Sequence, residues 1–188
     1  MATLPIFTIG HSTLPLDDFL RLLETNHVEL LVDVRTMPRS RRNPQFNRES
    51  LPGELARPGI GYLHMPGLGG LRKPQRDSPN RAWRNDSFRG YADYMLTPEF
   101  ERHLDELIRA AREVQTAIMC AEAVPWRCHR SLIADALTVR KAPVEHIMSS
   151  GRREAHTLRD WAKVEGLRLT YPAGTLPLEG FPSSITLL

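Results

Sequence analysis

Glu122, Cys128, His129 and Arg130 put a carboxylate, a thiol, an imidazole and a guanidinium within one short stretch, and a second thiol, Cys120, precedes them. The residues around them read as an apolar strand, a short loop and a helix, so the four chemically capable types fall where strand gives way to helix. Helix N-termini carry partial positive charge and unpaired N–H groups, which hold anions and acidify nearby thiols. Cys128 therefore reads either as a thiolate nucleophile or redox thiol, or as a small residue fitted to a tight turn. Cationic His129 and Arg130 in a first helical turn oppose the dipole unless an anion sits between them. Glu122 is either the ion-pair partner of Arg35 or Arg130, or a group that moves protons. Cys120, late in an apolar strand, reads as a small buried hydrophobe.

The elements that must position these groups alternate. Apolar strands are expected over 5–9, 29–34, 61–65, 116–121 and 144–148. Helices are expected over 15–26, around Phe88–Met95, from Pro98 behind a Thr97 cap, over 130–140, and over 154–165 before Gly166. Strand–helix–strand units with nearly continuous apolar strands predict an α/β fold. This is a single three-layer domain over 1–171, its mostly parallel sheet flanked by helices, with a Pro- and Gly-rich tail over 172–188 that carries little structure. Two long basic loops, 35–57 and 71–86, lie at the strand carboxyl edge, where such folds bind ligands. That rule brings five segments to one edge: Gly10-His11-Ser12, Asp33-Val34-Arg35, His64 with Leu68-Gly69-Gly70, Glu122 through Arg130, and Ser149-Ser150.

At this edge His11 is either a hydrogen-bonded structural residue or a ligand contact. Ser12 or Thr13 caps the following helix rather than attacking a substrate, and no Gly-x-Ser-x-Gly elbow is present. Arg35 reads as an anion clamp. Gly69 and Gly70 would let a phosphate approach, although neither the Walker nor the dinucleotide glycine pattern is present. Arg39, Arg41 and Arg42, with Arg72 and Lys73, form either solvated loops or one basic rim, and Trp83 and Trp126 either add stacking surfaces or pack the loops down.

The motifs Thr8-Ile9-Gly10-His11-Ser12, Asp33-Val34-Arg35 with Pro38-Arg39-Ser40, Leu68-Gly69-Gly70, Phe88-Arg89-Gly90-Tyr91-Ala92-Asp93-Tyr94-Met95, Cys120-Ala121-Glu122 with Cys128-His129-Arg130, and His146-Ile147 together resemble the family DUF488, domain of unknown function 488. The likeness runs from Thr8 to about Tyr171. It implies an α/β domain of prokaryotes and no particular reaction, so the site is argued from its residues.

With 188 residues the chain is long enough for one full core, and its 41% apolar and 25% charged content is that of a globular protein. A net charge of +3 favours anionic partners without selecting nucleic acid. No apolar run reaches the length of a membrane span, and residues 1–15 lack the charge and apolar pattern of a secretory leader, so a cytoplasmic protein with reduced thiols is expected. The resulting expectation is an enzyme, hydrolase or group transferase, acting on a small phosphorylated or otherwise anionic substrate. Cys128 attacks, Glu122, His11 or His129 moves protons, and Arg35 and Arg130 bind the anion, with Ser12, Gly69, Gly70 and Arg39 as further contacts. The rival is a nucleic-acid-binding or base-processing protein that uses the basic loops around the same pocket. Metal binding through Cys128, His129 and His11 is a third reading, and Cys120-x7-Cys128-His129 is no standard zinc spacing; neither metal nor cofactor is expected.

Overall fold

Five apolar segments lie side by side as parallel strands: β1 (Ile6–Gly10), β2 (Leu30–Asp33), β3 (Gly61–His64), β4 (Thr116–Cys120) and β5 (Val144–Ile147). Their order is β3-β2-β4-β1-β5, and β6 (Arg153–Ala155) adds antiparallel to the β5 edge. The computed structural model describes residues 4–174, so most of the segment expected to form a tail lies outside the described residues. Among the described residues no helix is long and apolar enough to cross a membrane.

Strand alternation sorts the core into two layers. Phe7, Ile9, Leu31, Ala117 and Met119 face α1 (Leu16–Thr25) and α2 (Leu51–Ala56), which contribute Phe19, Leu23, Leu51 and Leu55. Ile6, Val32, Val34, Ile118 and Cys120 face α3 (Asp86–Tyr94), α4 (Pro98–Glu113) and α5 (Arg130–Val139). Helices on both faces of a mostly parallel sheet make the three-layer α/β architecture. The helix starts follow local rules: Thr97 Oγ1 accepts from the Phe100 N–H ahead of Pro98, and the Asn85 side chain accepts from the Ser87 and Phe88 N–H groups. At α1, by contrast, Pro15 is the capping residue without a side-chain bond. Ser12 instead takes a left-handed backbone (φ 45°), and its N–H donates to Ala121 O at 2.9 Å, so it ties the β1 end to the loop after β4 rather than capping a helix.

The helix expected over 154–165 does not form. The segment holds β6, an irregular stretch and β7 (Lys163–Glu165), which pairs with β8 (Arg168–Thr170) in a hairpin. Long-range partners override the local preference: His156 and Arg159 are drawn to the buried Asp135 of α5, and Trp161 packs edge-on to Trp83 at 4.8 Å.

The connections fix where a site can lie. From β2 the chain leaves outward to β3, and from β4 it crosses β1 to reach β5, in the opposite direction. Adjacent strands with opposed exits open a crevice at their carboxyl ends. Here that crevice lies between Asp33–Arg35 and Cys120–Glu122.

Candidate active site

A cavity of about 380 Å³ occupies that crevice. Cys120, Cys128 and His129 line it together with Tyr91, Phe88, Met37, Leu71, Gly70, Ser87, Arg35, Thr36, Ala121, Glu122 and Arg127. Its size suits a small molecule.

Cys120 ends β4. The chain then makes a loop and a 3₁₀ turn (Pro125–Arg127) before α5, and this turn folds Cys128 back over the strand end. Cys120 Sγ, Cys128 Sγ and His129 Nδ1 lie within 4.8 Å of one another. Nδ1 is 4.0 Å from the Cys120 sulfur and 3.7 Å from that of Cys128. His129 is held from its other side, where Nε2 meets Val34 O at 3.2 Å. A carbonyl only accepts, so Nε2 carries a proton. Gly70 packs against the same ring: a Cβ there would sit 3.1 Å from Nδ1.

The α5 N-terminus is spent on the sulfur and not left for a ligand. The Arg130 N–H points at Cys128 Sγ (3.5 Å), while the Ser131, Leu132 and Ile133 N–H groups donate to the carbonyls of Cys128 and His129. Burial alone pushes the Cys128 thiol up. Hydrogen bonds from Cys120 and His129 and the charges of His129 and Arg130 outweigh that, and hold the thiol well below its ordinary value. The hydrogen bond Cys120 gives to Cys128, then burial, push the Cys120 thiol well above its own. The two shifts run in opposite directions, so Cys128 is the more acidic thiol of the pair.

Arg130 is 1% exposed, and among the described residues no carboxylate pairs with it. Its Nη2 donates to the backbone oxygen of Glu122 (2.7 Å), its Nη1 to Thr8 Oγ1 (3.2 Å), and its Nε has no hydrogen-bond partner among the described residues. From Thr8 a buried chain continues: Thr8 Oγ1–H to His146 Nδ1 (2.7 Å), His146 Nε2–H to His156 Nδ1 (3.0 Å), and His156 Nε2–H to Asp135 (2.7 Å). His146 is neutral in this arrangement, lowered to about 4 above all by burial. Asp135 is fixed further by Arg159 and the Tyr171 hydroxyl. Gly10 lets this assembly close, because a Cβ there would lie 1.8 Å from Glu122 O and 2.7 Å from the Arg130 guanidinium.

Arg35 reaches the cavity wall, yet its donors are taken. Nε and Nη2 fork onto Asp33 (2.8 and 2.6 Å), Nη2 also reaches Phe46 O, and Nη1 donates to His11 Nε2 (3.1 Å). The Arg35 N–H and the Tyr62 hydroxyl also donate to Asp33. His11 stacks on Phe46 at 4.2 Å and gives its Nδ1–H to Ser12 O; burial, then the Arg35 charge, lower it to about 4. His11 and Arg130 therefore brace the site from beneath and do not line the cavity, and Ser12 and Gly69 are likewise outside its walls. The structure brings Arg35, Gly70, Glu122, Cys128 and His129 together on the cavity. Glu122 is exposed at the rim and has no ion pair among the described residues. Arg39 is exposed away from the cavity lining. Arg72 is used internally: it stacks on Tyr94 (3.6 Å to the ring centroid) and bonds to the carbonyls of Gly67 and Gly69.

Sequence reasoning missed the partnership of Cys120 with Cys128, and the Thr8–His146–His156–Asp135 chain. The signals for the chain were polar residues in otherwise apolar elements: Asp135 within an almost wholly buried helix, and His146 in a buried strand.

A family model described as "Domain of unknown function DUF488" matches residues 15–137. No curated protein and no solved structure matches the chain.

Proposed function

We propose that this chain, which belongs to the DUF488 family, is a cytoplasmic enzyme that carries out hydrolysis or group transfer on a small anionic substrate, with Cys128 as nucleophile. The observation that carries the reading is the meeting of Cys128 Sγ, Cys120 Sγ and His129 Nδ1 on the cavity wall, near a buried arginine, Arg130, that pairs with no carboxylate among the described residues. Burying a lone guanidinium is costly. The cost is offset when the neighbouring sulfur supplies the negative charge.

The chemistry follows from the arrangement. The Cys128 sulfur bonds to an acyl or phosphoryl centre of a substrate seated between Phe88, Tyr91, Met37 and Leu71. The bond to the leaving group breaks, and the departing atom takes the proton of an imidazolium at His129 Nδ1. Water, or an acceptor hydroxyl, then gives its proton to Glu122, bonds to the same centre and releases the thiolate. Arg130 lies outside the cavity walls, and Arg35 is held by Asp33, Phe46 and His11, so neither clamps the anion directly. Exposed Arg127 at the rim contacts the substrate's charge, and Arg130 attracts it through space.

The nucleic-acid reading rests on exposed Arg39, Arg41, Arg42 and Lys73. The cavity's size and apolar walls favour the small molecule. Reduced, metal-free protein incubated with small acyl and aryl phosphates and anionic esters tests the reading by turnover and intact mass. A covalent adduct on Cys128 and turnover lost in Cys128→Ser are expected. Turnover retained in Cys128→Ser would overturn the nucleophile.

A further inference from the structure

We infer that Cys120, Cys128 and His129 form a site for one thiophilic divalent cation of the Zn²⁺ type, open on the cavity side. The inference departs from the sequence expectation that no metal is held, and it goes beyond the proposed reaction. The ligands come from two elements whose meeting no short spacing records: the end of β4 and the start of α5.

Distances make the first argument. Around tetrahedral zinc, with Zn–S of about 2.3 Å and Zn–N of about 2.0–2.1 Å, a sulfur and a nitrogen lie roughly 3.5 Å apart. Here Nδ1 is 3.7 and 4.0 Å from the two sulfurs, and all three atoms lie within 4.8 Å of one another. A single N–H points well at only one sulfur, whereas an ion placed between the three atoms engages both.

The tautomer makes the second. Because Nε2 donates to Val34 O, an Nδ1 without its proton aims its lone pair at both sulfurs. A ring N–H anchored on a backbone carbonyl is how ligating histidines are oriented.

Donor chemistry and charge complete the case. Two thiolates and an imidazole select a soft or borderline ion over magnesium or calcium. Three protein ligands leave a fourth position, which faces the cavity below Glu122 and Arg127. Two thiolates neutralise a dication, so the charge of buried Arg130 is then left for an anionic fourth ligand to balance. A proton at Nδ1 and an ion at Nδ1 exclude each other. In the loaded form Cys128 is a ligand, and in the proton form it is the attacking thiolate.

The full chain, reduced, treated with chelator and desalted, is titrated with Co²⁺ and then Zn²⁺. Expected are saturation at one ion per chain, a sulfur-to-cobalt charge-transfer band with tetrahedral d–d bands, and displacement by Zn²⁺. Cys120→Ser and Cys128→Ser should each lose about half the charge-transfer intensity and weaken binding by at least about 10-fold, and His129→Gln should weaken it similarly. His103→Gln, on α4, should leave binding unchanged. Zn²⁺ should also slow alkylation of Cys128 in the unaltered protein, a readout that needs no variant to fold and no substrate. No band and no protection in the folded chain would overturn the site, as would full binding in the Cys120→Ser/Cys128→Ser double variant. Neither result bears on turnover by the metal-free enzyme.

Discussion

Replacing Arg130 by Met tests the electrostatic core of the site, because it keeps an unbranched stem as far as the Nε position and removes the charged head with its donors. Arg130 is buried, donates to Thr8 Oγ1 and Glu122 O, and is among the charges that hold the Cys128 thiol down. Two effects on stability oppose each other. The two acceptors lose their donors, at about 1–3 kcal/mol for each one left buried. The chain is relieved of a desolvated guanidinium without a carboxylate, a relief of several kcal/mol. Their near cancellation makes stability a poor readout. Reactivity is the sharper one, since an adjacent cation lowers an acid's pKa by about 1–3 units and each unit changes the thiolate fraction tenfold below the midpoint. The assay is the rate of Cys128 alkylation against pH in chelator-treated protein, followed by peptide mass spectrometry. In R130M the midpoint should rise, with rates below it lower by roughly 10-fold or more. An unchanged midpoint in a variant with the parent's circular dichroism would refute the claim that Arg130 and the Cys128 thiolate balance each other.

Three further perturbations follow from the bracing of the site. Gly10→Ala forces a methyl into Glu122 O and the Arg130 guanidinium, and should cost about 1–3 kcal/mol or more in denaturant unfolding; stability equal to the parent would contradict the close approach. Asp135→Asn removes the charge that faces His156 and Arg159 and turns one of the two acceptor oxygens serving His156, Arg159 and the Tyr171 hydroxyl into an NH2 donor, and a loss of about 3–5 kcal/mol is expected, measured the same way. His11, lowered to about 4 by burial and the Arg35 charge, stays neutral in the fold at pH values where the unfolded chain takes up a proton. Its contribution to stability is therefore present above the unfolded pKa of about 6.5 and lost as pH falls toward 4, by about 2 kcal/mol between pH 7 and pH 5. The denaturation midpoint of His11→Asn should fall less over that interval than the parent's; equal slopes would argue against a buried neutral imidazole.

Much of this architecture is legible in the chain because the signals are local. The apolar runs of β1, β2 and β4, the Thr97-Pro98 start of α4 and the strand-end rule together locate the crevice and put Arg35, Glu122, Cys128 and His129 near it. What was not legible depends on contacts between distant segments. Residues 154–165 have the composition of a helix, but pairing with β5 and the pull of Asp135 on His156 and Arg159 decide their shape. Cys120 looks like any small residue of a buried strand until the turn at Pro125–Arg127 brings Cys128 back over it. The arginines look like clamps from the sequence alone. Only the fold shows that Asp33, Phe46 and His11 already occupy Arg35, and that Thr8 and Glu122 O occupy Arg130.

The central claim is that, of two thiols whose sulfurs lie within 4.8 Å of each other, Cys128 is a poised thiolate and Cys120 an inert acid. Competitive alkylation of the reduced, metal-free protein at neutral pH, with each cysteine peptide quantified by mass spectrometry, tests it most directly. Cys128, held down by Cys120, His129 and Arg130, should be modified well before Cys120, which is pushed up by its bond to Cys128 and by burial. Equal rates, or faster modification of Cys120, in the folded chain would contradict the account.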